Sequence, residues 1–543
     1  MEIQEDIVIV GAGLAGLTTS LGLHRLGLRS LVLESSENLR ITGFAIGLWT
    51  NAWRALDAVG VGDSLRQHSL QLQGFRVATT VSDLPTETSL DLKRLKSFAE
   101  ALEVIPYTLV ENEDEPLNSY FFFLFLLTST PMEIKEDIVI VGAGIAGLTT
   151  SLGLYRLGLR SLVLESSDSL RTAGFALELW TNAWKALDAV GVGDSLRQCH
   201  THIQGSQVAS NVSGLPTAEI SFKTIGKQDP EIRCVRRKVL LESLEKELPL
   251  GSIRYSSKVV SIEESRYFKL VHLADGFVIR TKVLIGCDGV NSVVANWLGL
   301  QKPVCAGRSS IRGFAEFLDD HGFEPKLYMY FGGGVRYGLR PCDEKSLYWF
   351  LSFTPSIEGK NDIIENPARM KQFVLSKLGK VPQQVEDVVE KTELDNIICS
   401  QQKLRWPWRI ILGDIVKGNV CVAGDALHPM TPEIGQGGCA ALEDGIVLAR
   451  CLADAFLTAA PGRKTREDMD EEEYRRIKMG LEKFAKERRW RSCKIITTSY
   501  VMGWIQQSKG WLISFLREKV LSRLMARSAW KIADYDCGKL KIS

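Results

Sequence analysis

Apolar and polar positions along the chain form short strand patterns broken by glycine turns and helical periods. The run Asp137-Ile-Val-Ile-Val141 has four consecutive apolar residues before a glycine turn and predicts a strand buried on both faces. A helical period follows through Leu157, and a second strand pattern, Ser161-Leu-Val-Leu-Glu165, comes next. The basic segment 233–248, RCVRRKVLLESLEKEL, repeats its apolar residues at helical spacing. Short alternating strands lead to the apolar run 283–289, VLIGCDG. Residues 302–355 are strand-rich and aromatic, with three glycines at 332–334, and predict an antiparallel sheet layer. The run 419–426, NVCVAGDA, starts a further strand, loop and helix. The stretch 465–530 reads as helical, charged first and tryptophan-rich later.

The first part of this pattern occurs twice. Residues 1–70 align with 132–201 at a constant offset of 131, with 57 positions identical. The period is too long, and two copies too few, for a stacked-repeat protein. The expected organisation is a partial duplicate over 1–91, a linker over 92–131, and one continuous enzyme from 132 onward. The linker holds an acidic stretch, Glu111–Pro116, and the apolar run Tyr120–Leu127. Those eight residues fall well short of the roughly 20 that a membrane-spanning helix needs.

Composition narrows the function. The chain of 543 residues carries 66 basic and 65 acidic side chains, a balance that argues against nucleic-acid binding. Its 11 cysteines all lie at or after Cys199 without a CxxC pair, and it has only 7 histidines. That pattern predicts thiols in a reducing compartment and no metal centre. The N-terminal residues enter a strand pattern almost at once, so no cleaved leader is read and a cytoplasmic location is expected.

The glycine turn carries the first chemistry. Gly142-Ala-Gly144-Ile145-Ala146-Gly147 follows an apolar strand and opens a helix, and Glu165 ends the next strand. This is the dinucleotide-binding fingerprint in its required context. Gly142 permits the tight turn, Gly144 admits a pyrophosphate close to the backbone, and Gly147 lets helix and strand pack. The helix N-terminus offers free N–H groups to phosphates. Glu165 is suited to accept from ribose hydroxyls and would repel a 2′-phosphate, so FAD or NAD fits better than NADP. The motif alone does not separate FAD from NAD.

Two later motifs do. Gly286-Cys-Asp288-Gly289-Val-Asn-Ser292 and Ala423-Gly424-Asp425-Ala-Leu-His428-Pro429 are followed by Pro432, Gly435-Gln-Gly437-Gly438 and Glu443-Asp444. Over 132–543 the chain resembles the group A FAD-dependent monooxygenases, the aromatic-hydroxylase and zeaxanthin-epoxidase-like class, and most of all the plant members related to salicylate hydroxylases. The resemblance implies an α/β, Rossmann-like FAD-binding (GR2) fold with an antiparallel sheet substrate layer and a C-terminal helical region. The first part of the FAD-binding domain would span 132–300 and the substrate layer 301–405. The second FAD-binding part would span 406–460 and the helical region 461–543.

The same resemblance carries Arg237, in an R-x-x-L-x-x-x-L pattern with Leu240 and Leu244, toward the FAD, with Arg236 as the alternative registration. Asp425 is suited to accept from a ribityl hydroxyl. The loop from Pro432 through Gly435, Gly437 and Gly438 would face the flavin's pyrimidine edge. His428 reads as a loop anchor rather than a catalytic base. Two positions depart from the family pattern. Ala295 stands where relatives carry an arginine, which bears on nicotinamide handling. Glu433 stands where many relatives carry a small polar residue, and its charge would disfavour a reduced, anionic flavin.

The implied activity is flavin-borne. NAD(P)H reduces FAD, O2 adds at C4a, and the hydroperoxide transfers oxygen to a small aromatic or apolar substrate, with no protein nucleophile required. Alternatives are a reductase or oxidase on the same fold, or a flavin-binding protein with little activity. Arg336, Tyr337, Tyr348 and Trp349 are candidate substrate contacts in the sheet layer, with sheet-face packing as the plainer role. The first copy, Gly11-Ala-Gly13-Leu-Ala-Gly16 with Glu34, lacks the later motifs and is expected to be a weakly folded appendage rather than an NADPH domain. Trp504, Trp511 and Trp530 permit contact with a membrane surface, although a helix covering the FAD domain is the simpler expectation.

Overall fold

A computed structural model describes residues 7–34, 50–67, 133–171, 174–222, 230–355, 366–457, 466–507 and 530–540. It separates two compact units, Met1–Ser129 and Thr130–Ser543. The expected linker, with Tyr120–Leu127, lies outside the described residues, as does Trp511.

In the first unit, strand Val8–Val10 pairs in parallel with Leu31–Leu33 across helix Leu14–Arg25. No third strand joins this sheet among the described residues. Val8 and Val10 are 49% and 54% exposed, whereas their counterparts Val139 and Val141 are 0% and 6% exposed. The same apolar strand thus lies open in one copy and sealed in the other.

The second unit is built on two sheets. In the eight-stranded sheet, Glu133–Val141 runs parallel to Leu162–Leu164 on one side and to Val278–Gly286 on the other. Strand Val420–Val422 returns late in the chain to pair in parallel with Leu284–Gly286. This explains the unbroken apolar runs: both faces of these strands are covered, and Ile138, Ile140, Leu284 and Val420 are essentially inaccessible to solvent. Helix Ile145–Arg156 lies against helix Gly437–Leu457 at small residues. A Cβ on Gly153 would come within 2.8 Å of Ala449 Cβ, and one on Gly445 within 2.7 Å of Thr149 Cβ.

The seven-stranded sheet runs Ile397–Leu404, Val304–Glu316, Ser346–Phe353, Val335–Pro341, Lys326–Gly332, Gly205–Ser210 and Pro216–Ser221. It is antiparallel except where Lys326–Gly332 meets Gly205–Ser210. The sequence reading begins this layer at 301; the structure also recruits the two strands within 205–221. Short alternating strands carry no mark of which sheet they will join, so sequence position alone misplaces them.

Register divides the side chains of this sheet into two faces. Ile311, Tyr337, Leu339, Trp349 and Leu351 share the face that packs on helices Pro367–Leu378 and Gln383–Lys391. Tyr337 and Trp349 are therefore core residues, and the Trp349 indole donates to Thr392 Oγ1 at 2.9 Å. The opposite face carries Ser310, Arg312, Phe314, Arg336, Arg340, Tyr348 and Phe350. It turns toward the dinucleotide-binding half, where Phe314 stacks with Phe175 and Arg340 pairs with Glu178.

Helix Arg466–Gln507 packs along Gly437–Leu457. Trp530 sits edge-on to both Trp180 and Phe222, while Trp504 is 57% exposed. No helix among the described residues is long and apolar enough to cross a membrane.

Candidate functional site

The strand ending at Val141 delivers the chain to Gly142, whose φ of 102° is open to glycine but strained for other residues. A Cβ there would also lie 2.5 Å from Cys287 O. Gly147 is equally constrained, because a side chain would run into Gly142 O. Gly144 differs: nothing in the protein lies within 4 Å of where its Cβ would be. That open space sits at the N-terminus of helix Ile145–Arg156, where the first backbone N–H groups have no helical partner. Ile145 and Ala146 are buried just inside the helix.

Glu165 closes the turn from below. Its Oε2 accepts from Ala143 N–H at 2.9 Å and its Oε1 from Ser167 N–H at 2.9 Å. Oε1 also accepts from Ser166 Oγ at 3.3 Å and has Arg171 Nε at 3.4 Å, so of a carboxylate's roughly four acceptor positions the one left for a ligand hydroxyl is on Oε2. In the first copy Ala12 N–H donates to Glu34 in the same way, at 2.8 Å.

Asp288 approaches the turn from the neighbouring strand, with its Cα 3.0 Å from the position of a Gly142 Cβ. Its Oδ2 accepts from Val293 N–H at 2.6 Å, while Oδ1 is buried with no protein donor. Burial raises the Asp288 pKa against the pull of these hydrogen bonds. The aspartate thus anchors the short helix Val293–Trp297 and keeps one oxygen free. Ala295 lies inside that helix, 2% exposed, with its N–H held by Ser292 Oγ at 2.8 Å. Its position is that of a core residue.

The structure separates the two arginine registrations. Arg236 forms an ion pair with Asp343, and its N–H donates to His200 Nε2 at 3.2 Å. Arg237 starts helix Arg237–Lys246 and leaves its Nε buried without an acceptor. Burial lowers the Arg237 pKa, and the charge of Asp425 raises it. Asp425 itself is exposed. Arg237 and Asp425 therefore share one neighbourhood, and Arg236 belongs to the scaffold.

Gly424 approaches helix Ile145–Arg156 closely: with φ of 59°, its Cβ would lie 2.8 Å from that of Ala146. Its N–H donates to Asp444 Oδ2 at 2.8 Å, and His428 Nε2 lies 2.7 Å from the same oxygen. His428 is completely buried, in keeping with an anchor. Pro432 opens the turn Pro432–Ile434, which Gly435 ends with φ of 61°. Gly437 begins the next helix, and Gly438 packs against Leu177 and Ile145.

Sequence reasoning did not find the residues that hold these loops. Arg488 donates to Asp444 Oδ1 at 2.6 Å and pairs with Glu443 at 2.7 Å. Arg491 pairs with Glu443 at 2.7 Å, and Asn182 joins Glu443 to Gln436. Arg405 donates to the carbonyls of Ala426 and Leu427, and burial brings its pKa down to about 10. All three lie outside the recognisable motifs: Arg405 just follows the strand Ile397–Leu404, and Arg488 and Arg491 sit in a helix whose charged residues look solvent-facing by spacing.

Glu433 has a counter-charge beside it: its buried carboxylate lies 3.2 Å from Arg308 Nη1 and its carbonyl accepts from Arg336 at 3.1 Å, so part of the charge expected to act on a flavin is offset locally. The two arginines come from strands more than 95 residues earlier in the chain, so no local pattern announces them.

The geometry fits a bound dinucleotide: an open glycine cradle, a ribose-competent carboxylate, and unpaired polar atoms on Asp288 and Arg237. Comparison with known proteins agrees. The family model described as FAD binding domain matches residues 4–113 and 135–467. "Monooxygenase 2" of Arabidopsis thaliana is 49% identical over 410 residues, covering 75% of this chain and 99% of that protein. "Monooxygenase 1" of the same plant is 35% identical over 412 residues, covering 74% of this chain and 99% of that protein. Klebsiella pneumoniae HpxO, solved with FAD and uric acid, superposes with a TM-score of 0.62 at 21% identity, covering 75% of this chain and 98% of that one, and so shares the fold. The chain belongs to the FAD-binding-domain family and, within it, to the group A flavin-dependent monooxygenases.

Proposed function

We propose that this monooxygenase uses NAD(P)H and O2 to hydroxylate or epoxidise a small aromatic or apolar substrate. Bound FAD would supply the redox chemistry, with NAD(P)H as reductant, by which one oxygen atom of O2 reaches the substrate and the other leaves as water. The observation that carries the reading is the open turn at Gly144, where no protein atom lies within 4 Å of a Cβ position, bordered by Glu165 and by the unpaired Oδ1 of Asp288.

In this reading Gly142, Gly144, Ile145, Ala146 and Gly147 present the helix N-terminus to the pyrophosphate, and Glu165 accepts from the adenosine ribose. Arg237, Asp288, Gly424 and Asp425 serve the middle of the cofactor. Pro432, Gly435, Gly437 and Gly438 shape the loop and helix start beside the flavin, whose N–H groups suit developing negative charge. The protein's own task at the reacting end is to orient substrate and exclude water, and no side chain needs to act as nucleophile.

The test has two stages. Flavin absorbance per polypeptide, after removal of free cofactor, should give about one FAD per chain. Substrate-triggered NAD(P)H oxidation should then place label from 18O2 in the product. Oxidation of NAD(P)H without label in any product would favour a reductase or oxidase. Slow flavin reduction with every substrate would favour an idle flavin protein, consistent with Ala295 in place of the relatives' arginine.

A further inference from the structure

Helix Arg466–Gln507 presents one exposed face over its C-terminal part. Between Lys486 and Trp504 the exposed side chains are Lys486, Trp490, Lys494, Thr497, Val501 and Trp504. Their spacing of four, four, three, four and three residues puts all six on one side, along about 27 Å of helix. Trp490 and Trp504 are 66% and 57% exposed. The solvent side of a helix ordinarily carries charged and polar residues, so two open indoles on it are informative.

A short helix widens the patch. Pro407–Leu412 is held against the long helix by Arg489, which donates to Ile411 O and Gly413 O at 2.9 Å each, and by the Cys493 thiol, which donates to Pro407 O at 3.4 Å. Trp406 stands edge-on to Tyr500, with ring centroids 5.0 Å apart, and Trp408 stacks on Trp406 at 4.6 Å. Trp408 and Leu412 are themselves exposed. The short helix therefore borders the stripe between Arg489 and Tyr500 and adds a third indole to it.

The charge of this surface is one-sided. No acid lies in the stripe, and among the described residues neither Lys486 nor Lys494 has an ion-pair partner. Glu482, one turn earlier, pairs with Lys478 at 3.9 Å, and Lys483 pairs with Asp454 at 3.0 Å. Arg409 is a further exposed cation, and Asp414 is the exposed acid at the edge. Residues 508–529, next in the sequence, bring five basic side chains against one acid, Glu518.

We propose that this face, with Trp490 and Trp504 at its middle and end, is a docking surface for an anionic phospholipid membrane. Indoles settle at the headgroup boundary, with the ring in the apolar layer and the N–H toward water, and lysines among them meet the lipid phosphates. A second copy of the face would set one lysine-bearing stripe against another, so like charge opposes self-association there. The other side of the Trp504 turn lies on the loop Pro432–Gly438: a Cβ on Gly503 would come within 2.6 Å of the Glu433 carboxyl carbon. Docking thus places that loop one helix away from the lipid. The inference stands apart from the oxygen-transfer reading of the site.

The test is co-sedimentation of the purified full chain with vesicles of phosphatidylcholine alone or with about 30% phosphatidylserine. Binding to the anionic vesicles should be at least about tenfold tighter. Trp490→Ser combined with Trp504→Ser should weaken it at least about tenfold, with FAD per chain unchanged. Lys486→Gln combined with Lys494→Gln should weaken it by about fivefold or more, and keeps the test open if loss of two indoles unfolds the chain. No binding, equal binding to the two vesicle types, or binding unchanged by either pair of substitutions would overturn the proposal. Unchanged binding would assign the lipid contact to another part of the chain, such as 1–131 or 508–529. A chain that ignores vesicles but forms a dimer lost in Trp490→Ser would overturn it in favour of a protein interface.

Discussion

Arg488 Nε meets Asp444 Oδ1 at 2.6 Å with both side chains wholly removed from solvent. Through its other oxygen Asp444 holds Gly424 N–H and the His428 ring, so this pair links the helix Arg466–Gln507 to the turn beside the cofactor cradle. Arg488→Met leaves the carboxylates of Glu443 and Asp444 with less compensation. The expected loss is about 3–5 kcal/mol of stability, read by denaturant unfolding. A loss under about 1 kcal/mol would show that Arg491 and His428 suffice.

The same network predicts an acid limb. Burial pushes the Asp444 pKa up, but the charges of His428 and Arg488 outweigh it and bring the group from 3.8 down to about 2. A folded-state pKa below the unfolded value adds stability that is present above about pH 4 and lost as pH falls toward 2. The amount is about 2 kcal/mol. Asp444→Asn should flatten the fall of stability between pH 4 and pH 2. An unchanged slope would place the acid sensitivity elsewhere.

Two alanine substitutions three residues apart should behave differently. Gly147→Ala drives a Cβ into Gly142 O and should cost about 1–3 kcal/mol through backbone displacement, with loss of flavin. Gly144→Ala meets nothing in the protein, so its thermal midpoint without cofactor should stay close to wild type while FAD affinity falls. Unimpaired FAD binding in Gly144→Ala would remove this turn from the cofactor site.

The neighbouring arginines offer a similar contrast. Arg237→Gln removes a half-buried cation near Asp425 whose Nε has no acceptor, and should weaken FAD binding by about tenfold with a modest change in stability. Arg236→Gln breaks the pair with Asp343 and should lower stability with FAD affinity largely kept. Fluorescence titration of FAD into each unliganded variant, beside its melting curve, separates the two.

Starting the chain at Met132 should retain about one FAD per polypeptide, because every element of the second unit's glycine turn lies beyond that point. Removing Val8, Val10 and Leu14, which are exposed in the first unit, should also reduce aggregation on concentration. A truncated chain that purifies without flavin would tie the first unit to cofactor binding.

The glycine turn at Gly142, the acid at Glu165, the motif around Gly424 and the α/β class were all legible in residue order alone. Each rests on backbone geometry or on a strand buried on both faces, and both leave local traces in residue type and spacing. The alternation in 302–355 also revealed a sheet, but not which of its faces met the cofactor half. Tyr337 and Trp349 could not be told from Arg336 and Tyr348 until pairing fixed the register. Only the tertiary structure joined Arg488 to Asp444, Arg308 to Glu433 and Arg405 to the Gly424 turn. These contacts bridge segments far apart in the chain, and a buried charge is chosen by the partner that folding brings to it.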